Sequence, residues 1–368
     1  MSLINLKSQT DLSGFYVVYN GSTALETPGV LGISHLMEHL VCKGFDHLQD
    51  EFSENGIYWN AYTSNDRVVF YMTGLDEYLA PYKEKMLLGL TEFNLTEEAI
   101  ENEKKIVIEE YLGYFNDQSY AHSLNLNRRL YNYYDPLGLK SDLEKVDLKT
   151  CQDWFKKQFL KPSKIINVSK HSELNSSNFD FNNIPELIEV KIEANPKAPI
   201  EKLGDFDEKI SLIVHSKLFD TNRAEMQIAS AMLVNGLNSP LVYEIREKRG
   251  LVYDISGSVD YMGSKGVLSF TTSTSYKNEE IIKETLNNVL SNPVKYLTRE
   301  RFNIIKKEKT INYKKAKINL HNNVSSYITP DMWVLSNKLE AIEYEQVIEA
   351  YTKNMKDYSI SIDKELYV

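Results

Sequence analysis

The chain has 368 residues, 42 Lys and Arg against 52 Asp and Glu, a formal net charge of −10 and two cysteines. With 42% hydrophobic and 11% aromatic content it has enough apolar material for two cores, which excludes a disordered chain. The acidic balance, with no basic stripe, excludes a nucleic-acid partner, and two cysteines exclude a disulfide framework.

The first residues, Met1 to Lys7, lack a basic-then-apolar leader pattern, and no run reaches the roughly 18 apolar residues that span a bilayer. A cytoplasmic home and no membrane partner are therefore expected. The first chemistry-bearing element follows at residues 33–43. At about 100° per residue Ile33, Leu36, Met37, Leu40 and Val41 fall on one side of a helix, and His35, Glu38 and His39 on the other. Lys43-Gly44 ends it with a cation in the last turn and a glycine stop. Two imidazoles four residues apart can grip a metal from one face, with a glutamate beside them as a base. His-x-x-Glu-His is also the inverzincin order of the commoner metallopeptidase motif. The plain alternative is a solvated polar face.

Residues 57–63, Ile-Tyr-Trp-Asn-Ala-Tyr-Thr, read as a strand, followed by a Ser64-Asn65-Asp66 turn and the apolar strand Val68 to Met72. If the first strand is an edge, Asn60, Ala61 and Tyr62 could take an extended peptide by β-augmentation; otherwise this is an ordinary hairpin. Glu98 to Tyr111 is strongly helical, with Ile100, Ile106, Val107, Tyr111 and Tyr114 as its apolar stripe. Glu103 and Glu110 lie within that stripe, while Glu101 and Glu109 point away. Inward carboxylates are costly unless a cation meets them, either a metal with its histidines or nearby arginines.

Ile165 to Ser169 reads as a buried strand. Residues 172–202 are rich in turn formers and read as a linker, and Lys209 to His215 opens a second domain. The expected organisation is residues 1–171, a linker, and residues 203–368. Both halves run strand, helix, paired strands, helices, so the expected fold is α+β: two similar domains, each a mostly antiparallel sheet with helices packed on one face. In the second half, Arg246 is a cation in the last turn before Gly250 and Tyr253 sits in a strand-like Leu251 to Ile255 run. The lysines of 306–317 read as a solvated helix face.

The His35-x-x-Glu38-His39 helix followed by Glu103-x6-Glu110 resembles the pitrilysin, insulysin and mitochondrial processing peptidase family of zinc metallopeptidases. Asn60 to Ser64 resembles the family's substrate-side edge strand, Asp135-Pro136-Leu137-Gly138 its turn after the ligand helix, and Gln158 to Pro162 the entry to its first domain's last strand. Ser239 to Tyr253 resembles a segment of its second domain. The ordered likeness runs from about residue 15 to about residue 290 and corresponds to a single, two-domain half of the larger members.

The resemblance implies one zinc ion per chain held by His35, His39 and Glu110. It makes Glu38 the general base acting on a zinc-activated water, and Glu103 a carboxylate that orients a histidine ligand. It implies that Arg246 and Tyr253 project towards substrate. The implied activity is endopeptidase cleavage of peptides or unfolded segments in an enclosed chamber, built as a homodimer in which Arg246 and Tyr253 of one subunit face the zinc of the other. A heterodimer, a non-catalytic core subunit and a narrow processing protease are the open alternatives. The stretch between Phe45 and Phe52 is shorter than is usual in the family, which bears on the rim of the site. Cys42, one turn past His39, is either a competing soft ligand or an inert, partly buried thiol.

Overall fold

A computed structural model of the protein describes residues 2–91, 94–171, 173–174, 193–200, 209–262, 265–318, 320–328 and 338–366. Most of the expected 172–202 linker lies outside the described residues. By internal contacts the chain divides into two units, Met1–Gly113 with Tyr134–Glu189, and Tyr114–Tyr133 with Val190–Val368. This differs from a cut at residue 171, because the 114–133 segment belongs to the second unit.

The first unit is built on a five-stranded sheet. Its strands are β1 (Ser2–Lys7), β2 (Leu12–Asn20), β3 (Tyr58–Thr63), β4 (Arg67–Leu75) and β5 (Lys164–Ser169), in the order β1-β5-β2-β4-β3. β1 and β5 are parallel and the other pairs antiparallel. One face of the sheet, Phe15, Val17, Tyr19, Val68, Phe70 and Met72, packs with helix α1 (Ile33–Lys43) in a single apolar core. The stripe of α1 is fully inward: Ile33, Leu36, Met37 and Val41 are 0% exposed and Leu40 3%. Gly44 follows the last turn in right-handed conformation rather than as a left-handed stop, so the chain continues through a short turn at Asp46–Leu48 into a helix at Gln49–Glu54. The shortened segment thus retains a compact helical piece.

Helix α2 (Glu97–Phe115) buries Ile100, Val107 and Tyr111 at 0–1% exposure, but Ile106 (49%) and Tyr114 (43%) face solvent. These two do not belong to the stripe expected for them. The position closer to the core's side at that level is Lys104, whose ammonium is satisfied by Glu101 and by the carbonyls of Glu144 and Val146. A long lysine can bury its stem while three donors find acceptors, which a wheel of apolar residues does not register.

The second unit carries a four-stranded antiparallel sheet of β6 (Lys209–His215), β7 (Ile255–Met262), β8 (Lys265–Ser275) and β9 (Ser359–Ile362), ordered β7-β8-β6-β9. Ile210, Leu212 and Val214 of β6 enter the core with helix α4 (Arg223–Val234). The opposite face of β6, with Ser211 and Ile213, receives helix α3 (Gln118–Tyr131), which is why that segment groups with the second unit. The strand-like reading of Leu251 to Ile255 is corrected: β7 starts only at Ile255, and Tyr253 stands 88% exposed before it. Among the described residues no helix is long and apolar enough to cross a membrane.

Candidate metal centre

Because the five apolar residues of α1 are sunk in the core, the polar face is forced outward as a unit. The rings of His35 and His39, four residues apart, stand edge to face with centroids 4.9 Å apart. Glu110 comes from α2 to meet both: its Oε2 lies 3.7 Å from His35 Nε2 and 3.7 Å from His39 Nε2. Among the described residues these three are the group of His, Cys, Asp and Glu side chains able to hold a metal ion, with one donor atom from each lying within 4.8 Å of the others.

The donor set can be tested against zinc. Metal–ligand bonds of about 2.0–2.2 Å in a tetrahedral site put donor atoms roughly 3.3–3.5 Å apart. The 3.7 Å separations of Glu110 from the two histidines need a closure of a few tenths of an ångström, and the His35–His39 pair, inside the 4.8 Å that bounds all three donors, needs at most about 1.5 Å, which small side-chain rotations supply. Two imidazoles and a carboxylate also leave a fourth position open, the composition of a catalytic rather than a structural site. The residues present fit a zinc ion.

His39 is braced from behind. Its Nδ1 lies 3.3 Å from Glu103 Oε2, leaving Nε2 to point at Glu110. Glu103 is 3% exposed, and its other oxygen lies 3.4 Å from Lys43 Nζ, so the buried carboxylate bridges a histidine and a lysine. His35 has no such brace, since its Nδ1 is buried without a hydrogen-bond partner among the described residues.

Glu38 lies close enough to His39 and Glu110 to feel both charges. It is 8% exposed and accepts a 2.5 Å hydrogen bond from the Thr63 hydroxyl at the end of β3. Burial pushes the Glu38 carboxyl above its usual range, against the opposing pull of the Thr63 hydrogen bond and His39. Burial, and then the neighbouring His39, press the His35 imidazole down to about 4, so it stands neutral at pH 7 with a lone pair available for a cation. Burial also pushes the Cys42 thiol well up, so it stays protonated and is a poor competing ligand.

Among the described residues β3 is the edge of its sheet, bonded only to β4. Ser64 N–H donates to Arg67 C=O at the hairpin's end, and counting back by twos makes Tyr62, Asn60 and Tyr58 the residues whose backbones bond β4. Trp59, Ala61 and Thr63 therefore turn their backbone groups outward. The Asn60 side chain rests on the Ala61 N–H at 2.9 Å. Of the three residues expected to meet a peptide, Ala61 offers backbone, whereas Asn60 and Tyr62 offer side chains.

Arg246 and Tyr253 belong to the second unit and are described within it. Arg246 lies in a π-helical turn, Val242–Glu247, with its guanidinium 5.6 Å from the Tyr253 ring centroid. Gly250, at φ 62°, returns its N–H to Arg246 C=O and reverses the chain between them. The two side chains form one exposed cation–aromatic pair.

Sequence reasoning placed His35, Glu38, His39, Glu103 and Glu110 but gave Thr63 no role. Its signal was available in outline, since a strand entering a polar turn beside the His-x-x-Glu-His helix can carry a hydroxyl donor, yet strand parity alone does not bring it to Glu38.

Comparison with known proteins adds to this geometry. Residues 5–140 match the family model described as Insulinase (Peptidase family M16), and residues 150–309 match the one described as Peptidase M16 inactive domain. The second match covers the half without the histidine pair. The chain is 23% identical over 348 residues to an uncharacterized zinc protease of Rickettsia bellii, covering 83% of this chain and 81% of that protein. It is 29% identical over 108 residues to the mitochondrial-processing peptidase subunit beta of Neurospora crassa, covering 28% and 22%. A crystal structure of a protease from Helicobacter pylori superposes with a TM-score of 0.75 at 15% identity, over 98% of this chain and 96% of that one, which shows a shared fold.

Proposed function

We propose, from the premise that the chain belongs to the insulinase family of peptidases, family M16, that it is a zinc-dependent endopeptidase acting on peptides or unfolded segments. The observation that carries this reading is the meeting of His35, His39 and Glu110 across two helices, with Glu38 beside them. The name of the Rickettsia relative, a zinc protease, supports it.

His35 Nε2, His39 Nε2 and a Glu110 oxygen would hold the ion. Zinc bound there supplies a Lewis acid that makes water acidic and polarises a carbonyl. Glu38, raised by burial, accepts the proton from an attacking water and returns it to the departing amine. Thr63 fixes which Glu38 oxygen is engaged, so the other is left to the water. Glu103 holds the His39 ring in one orientation. The outward backbone of Ala61 takes a stretched peptide alongside β3, and since that contact reads main chain, many sequences fit.

Arg246 and Tyr253 are proposed as substrate-facing donors that steady charge on the carbonyl oxygen. We assign them to the site of a second copy in a homodimer, the arrangement in which each chain contributes one half of each site. A heterodimer is the alternative, supported by the likeness to a peptidase named as a subunit. A non-catalytic role is the reading that the inactive-domain description suggests, but it describes residues 150–309, outside the complete ligand set.

The test is hydrolysis of a quenched-fluorescence peptide library before chelation, after it, and after zinc is restored. Loss and return of cleavage is expected; cleavage indifferent to chelation refutes the reading. For the dimer, mixing inactive Glu38→Gln with inactive Arg246→Ala should regenerate activity, because the mixed pair contains one intact site. No recovery on mixing refutes the shared site.

A further inference from the structure

Helix α1 begins without a cap of its own. Gly32, in the N-cap position, has a left-handed backbone and no side chain to cap the helix, and while Ile33 N–H donates to Val30 C=O and Leu36 N–H to Gly32 C=O, the Ser34 N–H has no acceptor within the helix start itself. A helix start leaves orphan N–H groups that must find acceptors. Here the acceptor comes from outside: Glu26 Oε2 accepts from Gly32 N–H at 2.8 Å and Glu26 Oε1 from Ser34 N–H at 2.9 Å. A carboxylate spread across the two amides also faces the positive end of the helix dipole.

The surroundings leave this turn little freedom. Asp142 Oδ2 accepts from Gly29 N–H at 2.7 Å and from Leu31 N–H at 3.2 Å. Gly138, at φ +64°, presses so close that a Cβ there would stand 2.2 Å from Gly32 N. The entry to α1 is therefore held between Asp142 and Gly138 on one side and Glu26 on the other. Glu26 keeps some surface exposure, yet desolvation pushes its carboxyl up to about 7 against the pull of its two N–H donors. One side chain that spans both Gly32 N–H and Ser34 N–H fixes the backbone entering α1, a placement task.

That task lies one residue further on. His35 follows Ser34 in the same turn, and His35, unlike His39, has no carboxylate behind its ring. Its placement depends on the backbone that carries it. We propose that Glu26 is a positioning residue of the metal centre: by capping α1 at Gly32 and Ser34 it holds His35 where its Nε2 meets His39 and Glu110. This rests on the metal reading above. The two ligands of α1 are then secured by different means, His39 through its ring by Glu103 and His35 through its main chain by Glu26.

The test compares wild type with Glu26→Gln, which keeps the size of the side chain but turns one acceptor into a donor. Three readouts are taken: amide hydrogen exchange at Gly32 and Ser34 in the metal-free protein, zinc affinity by competition with a chelator, and kcat and KM. Expected are faster exchange at both amides, zinc binding weaker by roughly 10- to 100-fold, as for loss of other supports of a ligand, and a lower kcat at saturating zinc with little change in KM. Glu26→Asp, which keeps the charge but is one methylene short, should fall between the two and serves if the glutamine variant does not fold. Faster exchange with unchanged zinc affinity and kcat would overturn the proposal and leave Glu26 a stabilising cap only. If wild type binds zinc but cleaves no peptide, the peptidase reading fails while zinc affinity still decides the role of Glu26.

Discussion

Thr63 ends the open edge strand and donates its hydroxyl to Glu38 at 2.5 Å, so the strand proposed to bind substrate and the proposed base are joined by one hydrogen bond. A peptide bound along Ala61, as proposed, would run two residues from the hydroxyl that holds the proposed base. The coupling is local, within one unit of the fold.

Replacing Thr63 by Val keeps the β-branched shape that suits a strand but removes the donor. The expected result is a fall in kcat of roughly 10- to 100-fold, the value of one hydrogen bond to a charged group, with zinc content unchanged. Thr63→Ser should retain most of the rate. Steady-state kinetics with parallel metal analysis checks this, and a Val variant within twofold of wild type would show that the hydroxyl has no part in the reaction.

Glu103→Gln tests the brace behind His39. The amide can still meet the Nδ1 side but loses the charge that raises ring basicity and balances Lys43. Zinc affinity should drop by about 10- to 100-fold, measured by chelator competition. An unchanged affinity would mean that the 3.3 Å approach of Glu103 to His39 has no bearing on the metal.

Ala61→Pro removes an outward N–H from β3, one that the Asn60 side chain accepts from and that a peptide would take over by displacing it, without touching the ladder to β4, and proline is tolerated on an open edge. The protein should fold and bind zinc as before, while KM for peptides rises about tenfold or more. Circular dichroism and kinetics together check it; an unaltered KM would rule out pairing at Ala61.

Much of the site was legible because it is carried by helices. Spacings of three and four residues place His35, Glu38 and His39 on one face whatever the rest of the fold does, and the buried position of Glu103 follows from the same periodicity, whereas Glu110, its side chain 37% exposed, stands at the edge of the stripe rather than within it. The limit appeared at Ile106 and Tyr114, where a wheel cannot say how wide the buried stripe is. It appeared again at Lys104, whose ammonium is held by carbonyls from a distant segment. Tyr253 was assigned to a strand on β-propensity, but Gly250 reverses the chain and leaves it exposed before β7 begins. The contact of Thr63 with Glu38 is set by the placement of β3 against α1 and has no local signature, while that of Glu26 with Gly32 depends on the path of the loop between them, which no periodicity describes.

The second unit makes its own pH prediction. His122 on α3 is 0% exposed, with Nδ1 3.0 Å from Ser211 Oγ on β6 and Nε2 3.0 Å from Ser361 Oγ on β9. Burial, and then His215, press its pKa from 6.5 down to about 3. The unfolded chain takes up a proton near pH 6.5 and the folded one only near 3, so this contribution to stability is full above about 6.5 and is lost as pH falls towards 3. Between pH 7 and pH 5 wild type should lose about 2 kcal/mol more than His122→Gln, read by urea unfolding of the metal-free proteins. Parallel losses in both would show that His122 is not the titrating group.

The central claim, that His35, His39 and Glu110 hold a zinc ion beside the base Glu38, is tested most directly by metal content and peptide hydrolysis of wild type and Glu38→Gln side by side. The account predicts one zinc per chain in both proteins and hydrolysis in the wild type alone. Equal hydrolysis by the two, or a wild-type protein that binds no zinc, would contradict it.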